Sequence, residues 1–318
     1  MDSVWFAFEW LQQNLYEAVV QPLALAFGQD PLLDKAFEGT GWLVAGALQI
    51  VCMLLVIGPL ERLRPVEPVS DRAAVRVDIL YTLIHRLGLF KLLMFFTLED
   101  VFQQAMGLLR AQGLPTWHLD QLWPGVTDQA LVSFAIYLVA FDAVHYLLHR
   151  AQHHFDGWWS LHALHHSQRQ MTMWTDNRNH LLDDAITSLV LAFVALLIGV
   201  GPGQFVALVA LGQLSESLQH ANVRLGFGPL LSRLWISPCF HRRHHAIGIG
   251  HETPEGAPLG GCNFGVLLPW WDMLFGTADF REGYAATGVR DQVEQGRDYG
   301  RGFWAQQKLG LLRLIGRA

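Results

Sequence analysis

The feature that narrows this chain most is a run of histidines. Between Asp142 and Ser167, in DAVHYLLHRAQHHFDGWWSLHALHHS, stand seven of its fifteen histidines. His145, His149 and His153 recur every four residues. His162, His165 and His166 spell HxxHH, and the same box returns far downstream as His241, His244 and His245 in HRRHH. Side chains at i, i+3 and i+4 share one helix face, so each helical box aims several rings at one point. Neutral imidazole is the commonest nitrogen ligand for zinc, iron and copper. A single HxxxH on a helix carries little weight. Three clusters on both sides of an apolar hairpin point to metal.

With His220 in QHAN just after that hairpin, ten imidazoles are on offer. That exceeds what one ion with four to six positions can take, and two ions sharing about nine ligands fit better. Soluble di-iron bundles use Glu-x-x-His pairs, and no ExxH occurs here. A structural zinc site would want cysteines in a closed tetrahedral shell. The three cysteines, Cys52, Cys239 and Cys262, are isolated and read as free thiols. Iron with open positions is the better fit.

What surrounds the histidines is apolar. Hydrophobic residues make up 52% of the 318 and charged ones 16%, against nearer a quarter charged in soluble domains. No basic block of nucleic-acid type is present. MDSVWFAFEW lacks the positive n-region of a signal peptide. Residues 4–27 read as an interfacial helix and Asp30–Thr40 as a polar connector. Gly41–Leu60 is a first span, Asp78–Leu98 a second, and Gln129–Leu148 a third that delivers His145, His149 and His153 at its inner end. Leu181–Leu214, broken by GVGPG at 199–203, is a hairpin that leaves and re-enters on one side.

Arg62, Arg64, Arg72 and Arg76 make the first loop cytoplasmic by the positive-inside rule, and the loop Glu99–Asp128, with Arg110 alone, lies on the far side. Every histidine cluster then falls on the cytoplasmic face. The expected organisation is an N-terminal interfacial segment (1–40), a first transmembrane pair (41–128), a catalytic unit (129–280) and a tail (281–318). The tail is either an amphipathic helix on the membrane or an ordinary solvated one. The fold class is all-α: a polytopic membrane protein with about four crossing helices and a cytoplasmic helical cap carrying a His-rich di-metal site.

The text DAVHYLLHRAQHH, WWSLHALHHS, QHAN, SPCFHRRHH and NFGVLLPWWDMLFGT, over about residues 130–277, resembles the fatty acid hydroxylase/sterol desaturase superfamily of membrane di-iron oxygenases. The resemblance implies four spans, two iron ions, and dioxygen-dependent hydroxylation or desaturation of a lipid, with the site on the cytoplasmic face. It puts HRxxH on His149 and His153, the two HxxHH boxes on His162, His165, His166, His241, His244 and His245, and a lone ligand on His220. His145 is the weaker candidate, and His180 stands where the family often has Arg-x-His-Pro. Asn263 and Asp272 match the family's NxG and WD elements, which would close a loop over the metals.

Asp142, on the helix face of His145 and His149, is a candidate partner for the rings, as are Asp183, Asp184, Glu216 and Asp272; Glu216 could also be a rare carboxylate ligand. His85 and His118 lie outside the clusters and read as core or interface residues. His251 opens a Gly/Pro-rich loop and is expected at the surface or on the substrate side. Lining residues would come from Phe134, Phe141, Trp158, Trp159 and Trp174, most of them plain packing.

Electrons must come from outside. The chain has neither a cysteine-ligated cluster pattern nor a Rossmann fingerprint, so a separate ferredoxin or cytochrome with its reductase is implied. The short single-chain form suggests a bacterial inner membrane. The competing readings are a membrane metal-binding or transport protein and a structural protein with a degraded site. Transport would want ligands along a path inside the membrane, whereas these sit at span ends.

Overall fold

A computed structural model describes residues 2–251 and 260–318, and the side chains from Trp5 onward. Most of the Gly/Pro-rich loop after His251 lies outside the described residues. The described residues are helical and contain one isolated β-bridge, Ala246 to Thr287.

The chain opens with α1 (Asp2–Leu15) and α2 (Gln21–Ala26), which leave Trp5, Phe6, Trp10, Leu23 and Phe27 exposed. α3 (Leu33–Cys52) runs through a π-turn into α4 (Gly58–Leu63). The segment read as a polar connector is therefore helical, and Asp30–Leu63 forms one element long and apolar enough to cross a membrane. α5 (Arg72–Arg86) starts at Asp71, whose carboxylate accepts from the amides of Ala73 and Ala74.

The second span does not lie where the sequence placed it. α5 ends before Gly88, which takes φ 79, and the membrane-length element is Leu89–Ala111, comprising α6 (Leu89–Met94), a π-turn and α7 (Asp100–Ala111). The reason lies in the polar residues of α5. Asp78 is bound by Arg178 at 3.0 Å, and Arg86 reaches Asp176 at 2.7 Å and Ser217 at 3.0 Å. Buried charges need such partners, so α5 belongs to the protein interior rather than to lipid. Glycine is required at 46, where a Cβ would come within 1.7 Å of the Arg86 carbonyl; there α3 and α5 touch backbone to backbone.

α8 (Ala130–His154) and α10 (Leu181–Ile198) are the other two membrane-length helices. α9 (Asp156–His166) follows α8 after one extended residue, Phe155, and folds back along it. α10 ends at Gly199 with φ 71, and after this break α11 (Pro202–His220) packs on α8 and α3. Short helices α12 (Gly228–Leu231), α13 (Pro238–His244), α14 (Trp270–Phe275) and α15 (Arg290–Glu294) follow.

The tail forms α16 (Phe303–Leu314), packed on α9 and α5. Phe303, Gln306 and Gly310 face the protein and Trp304 faces out. The core breaks into small clusters under these helices, such as Tyr137, Phe141 and Leu208 between α8 and α11. The polar cap lies at the ends of α8, α9 and α11.

Candidate metal centre

Nine imidazoles converge where α8, α9, α11 and α13 end. His149, His153, His162 and His166 form one group whose nitrogens lie within 4.8 Å of one another; His165, His220, His241 and His245 form a second; His166, His244 and His245 form a third between them. All nine are buried. The ring centroids of His149 and His244 are 4.5 Å apart, and His166 stacks on His245 at 4.3 Å.

The backs of the rings are fixed. Nδ1–H of His149 donates to the Phe264 carbonyl at 2.8 Å, that of His244 to the Cys262 carbonyl at 2.8 Å, and that of His220 to the Glu216 carbonyl at 2.8 Å. His162 Nδ1 stands 3.1 Å from Asp183 Oδ2. These oxygens only accept, so the hydrogen sits on Nδ1 and each Nε2 turns a bare lone pair inward. Nε2 of His149, His162 and His244 has no hydrogen-bond partner among the described residues, although it is buried.

The second group tests the fit of a metal directly. Nε2 of His220 lies 3.1 Å from that of His165 and 3.0 Å from that of His241, and His241 and His245 are 3.1 Å apart. These three contacts cannot all be hydrogen bonds. His220 Nε2 has no hydrogen, so His241 must donate to it, and a protonated His241 nitrogen has no lone pair left to accept from His245. A cation removes the conflict. Ligand nitrogens about 2.1 Å from an ion, at angles near 90°, stand about 3.0 Å apart.

Burial, and after it the neighbouring imidazoles, hold His165, His166, His241, His244 and His245 well below the ordinary histidine value. They are neutral at pH 7, the form in which imidazole can bind a metal. A donor set of nitrogens without thiolates suits iron, and the residues fit two ions.

Asp142 stands apart from the rings. Its carboxylate accepts from the amides of Leu267 (2.8 Å) and Leu268 (3.1 Å) and from the Trp271 indole (3.0 Å). It anchors a loop rather than an imidazole. Asp272 accepts from the amides of Phe264 (2.9 Å) and Gly265 (2.7 Å) and from Thr277 Oγ1 (2.6 Å). Asn263 takes φ 62 and donates to the Phe240 and Asp279 carbonyls at 2.9 and 3.0 Å. The carbonyls on either side of it, those of Cys262 and Phe264, are the ones that hold His244 and His149.

Asp183 is the carboxylate that meets a ring. It also accepts from Gln152 (2.7 Å) and the Trp158 indole (2.6 Å). Glu216 meets His220 through its backbone carbonyl and is in none of the ligand groups.

Three other histidines lie outside the groups, and His251 departs from expectation. His180 is not a ligand: its Nδ1 caps Leu182 N at 3.1 Å and its Nε2–H donates to the Gln307 carbonyl at 2.9 Å, so both nitrogens are used by α10 and α16. His145 turns Nδ1–H to the Phe141 carbonyl at 3.0 Å and is in none of the ligand groups. His251 is fully buried rather than at the surface, stacked on Trp159 at 5.2 Å and 5.1 Å from the His166 ring. Its position at the foot of a Gly/Pro-rich loop gave no sign of this. The two orienting carbonyls left no trace in the sequence either, since every residue has one.

A cavity of about 1030 Å³ reaches these imidazoles. His149, His162, His165, His220 and His241 line its inner end, and Leu23, Phe27, Leu92 and Phe96 its other end. Those four are more than half exposed on the apolar flank. Of the five aromatic residues expected to line it, Phe141 does. Phe134 and Trp174 pack in the core, and Trp158 and Trp159 support Asp183 and His251.

Residues 134–277 match the family model described as fatty acid hydroxylase. This segment holds all nine converging histidines and the loop that orients two of them, and over it the chain carries the family's pattern, as the histidine boxes led one to expect. An alkylglycerol monooxygenase of Caenorhabditis elegans is 27% identical over 136 residues, which is 43% of this chain and 25% of that protein. The chain thus matches about a quarter of that relative's length. No solved structure matches the chain.

Proposed function

We propose that this chain is a membrane-embedded di-iron oxidoreductase that uses dioxygen to hydroxylate or desaturate a lipid. The observation that carries this reading is the pair of buried histidine groups at the end of a cavity that opens on an apolar flank, the first with inward nitrogens that lack partners and the second with nitrogens crowded too closely to satisfy one another. The family match and the monooxygenase relative support it.

His149, His153, His162 and His166 would hold one ion, and His165, His220, His241 and His245 the other, with His244 closing the space between. Iron bound there would supply the activation of dioxygen and the removal of hydrogen from an unactivated C–H bond. The protein's own contribution is position. Asp183 sets His162, and the loop held by Asn263, Asp272 and Asp142 sets His149 and His244. The apolar chamber keeps water from the reacting carbon and holds it beside the metals. Electrons would come from a separate ferredoxin or cytochrome with its reductase, and the histidine end would face the cytoplasm.

The test is metal analysis of protein purified from iron-supplied, zinc-limited cells, followed by mass spectrometry of lipids from expressing and non-expressing cells. About two irons per chain and a lipid gaining one oxygen or losing two hydrogens are expected. One tightly held zinc, with lipids unchanged, overturns the reading and leaves a non-catalytic metal-binding protein.

A further inference from the structure

The cavity wall carries polar atoms that the metal centre does not use. His85 Nε2, Asp184 Oδ2 and Thr187 Oγ1 are each buried and without a hydrogen-bond partner among the described residues, and all three residues line the cavity. His85 Nε2 and Asp184 Oδ2 stand 3.2 Å apart, an ion pair when the imidazole is protonated but not aligned as a hydrogen bond. Thr187 lies one turn beyond Asp184 on α10, so both project from one face. Buried polar groups are ordinarily paired, and leaving one unpaired is destabilising. Most other polar residues on this wall are spent: Asp183 on His162, Arg86 on Asp176, and Asp142 on the 267–271 loop.

The chemistry of the three atoms selects a ligand group. A carboxylate oxygen demands a donor, a hydroxyl both gives and accepts, and an imidazole nitrogen does either according to its protonation. One uncharged hydroxyl satisfies such a set. A carboxylate or phosphate head offers no hydrogen to Asp184 and is repelled by it. Asp184 directly follows Asp183, which holds His162, so a hydroxyl bound there lies on the wall beside the metal centre. The apolar remainder of the molecule then runs towards Leu92 and Phe96.

We propose that His85, Asp184 and Thr187 form a hydroxyl-binding pocket, and that the substrate is an uncharged hydroxyl-bearing lipid bound head-first, with the oxidised carbon near its polar end. The proposal rests on the oxygenase reading for its account of the cavity. Lys91 supplies the contrast: its ammonium lies 3.6 Å over the Trp42 ring on the same cavity wall, and an anionic lipid would go there instead.

The test is equilibrium binding of radiolabelled 1-hexadecanol and of palmitate to the metal-loaded full-length protein in detergent. The wild type should bind the alcohol more tightly. Thr187→Val and Asp184→Ala should each weaken the alcohol about tenfold, the size of a lost buried hydrogen bond, while palmitate binding and iron content stay at the wild-type level. Thr187→Ser should restore the alcohol. Tighter binding of palmitate, or variants that bind the alcohol as the wild type does, overturns the pocket. The pattern appearing in a protein that oxidises no lipid removes the oxygenase reading and leaves the pocket. Lipid oxidation in a protein whose variants bind normally does the reverse.

Discussion

His149 and Phe264 are 115 residues apart in sequence and joined at 2.8 Å, the imidazole Nδ1–H donating to the phenylalanine carbonyl. Two residues earlier the Cys262 carbonyl holds His244 in the same way. Asn263, between them, takes φ 62, a conformation that non-glycine residues other than Asn and Asp seldom adopt. Its side chain bridges Phe240 and Asp279, which fixes the turn.

Asn263→Ala should therefore weaken metal binding rather than merely loosen a loop. Alanine loses all three side-chain hydrogen bonds, the two donated to the Phe240 and Asp279 carbonyls and the one accepted from the Asp279 amide, and is strained at this φ. Loss of an orienting partner typically costs 10–100-fold in metal affinity, and two rings are released here. Asn263→Gly should recover part of the loss, since it removes the strain but not the missing bonds. Competition against a chelator, with iron counted per chain, checks both.

Asp183→Ala should act on His162 through its back nitrogen. The change also strands Gln152 and the Trp158 indole, both buried or half-buried donors. A 10–100-fold fall in metal affinity is expected, with iron lost first from the group containing His162. Asp184→Ala, one residue on, should leave iron content unchanged, because Asp184 faces the cavity. The contrast between adjacent aspartates is read by metal analysis alone.

The converging histidines were legible because their chemistry is rare and their spacing periodic; all nine named from the boxes come together. Asp183 could be named only as one aspartate among several, since nothing local separates a carboxylate that meets a ring from one that meets a loop, as Asp142 does. The second span was misplaced because the apolar residues at the end of α5 run on in sequence into those of α6, across the break at Gly88. Its polar residues, Asp78 and Arg86, are matched by Arg178 and Asp176 some ninety residues away or more, a pairing no window of sequence contains. His180 and His251 fell the other way for the same reason: what a lone histidine does depends on which distant backbone or ring meets it.

Gly310→Ala should lower stability without touching the metals. A Cβ at 310 would lie 2.4 Å from Cδ2 of His180, on which α16 is seated. Overpacking of this kind costs about 1–3 kcal/mol. His180→Asn should keep the cap on Leu182 but lose the bond to Gln307. Both variants should bind the wild-type complement of iron and melt at lower temperature. A loss of iron in His180→Asn would make His180 a ligand after all.

The metal-free protein should become less stable as pH falls below about 6.5. His165, His166, His241, His244 and His245 all have values depressed in the fold. Above about pH 6.5 they are neutral folded or unfolded and contribute no slope. Below it the unfolded chain takes up protons that the fold refuses, so stability falls with pH at up to about 1.4 kcal/mol per unit for each group. Melting of chelator-treated protein should be flat from about pH 7 to 8 and drop steeply towards pH 5.5. Bound iron should shift the drop to lower pH, because occupied nitrogens cannot take protons.

His162→Ala with His165→Ala should abolish both iron binding and lipid oxidation. The two residues sit on one turn of α9 but serve different groups: His162 stands with His149, His153 and His166, and His165 with His220, His241 and His245. One double variant thus removes a ligand from each group, leaving three in each. The buried nitrogens that remain keep their orienting bonds, so the fold should persist while affinity drops. Circular dichroism separates loss of metal from loss of fold. Retention of two irons per chain by a folded double variant would show that neither group is the metal site, and the oxygenase reading would fall with it.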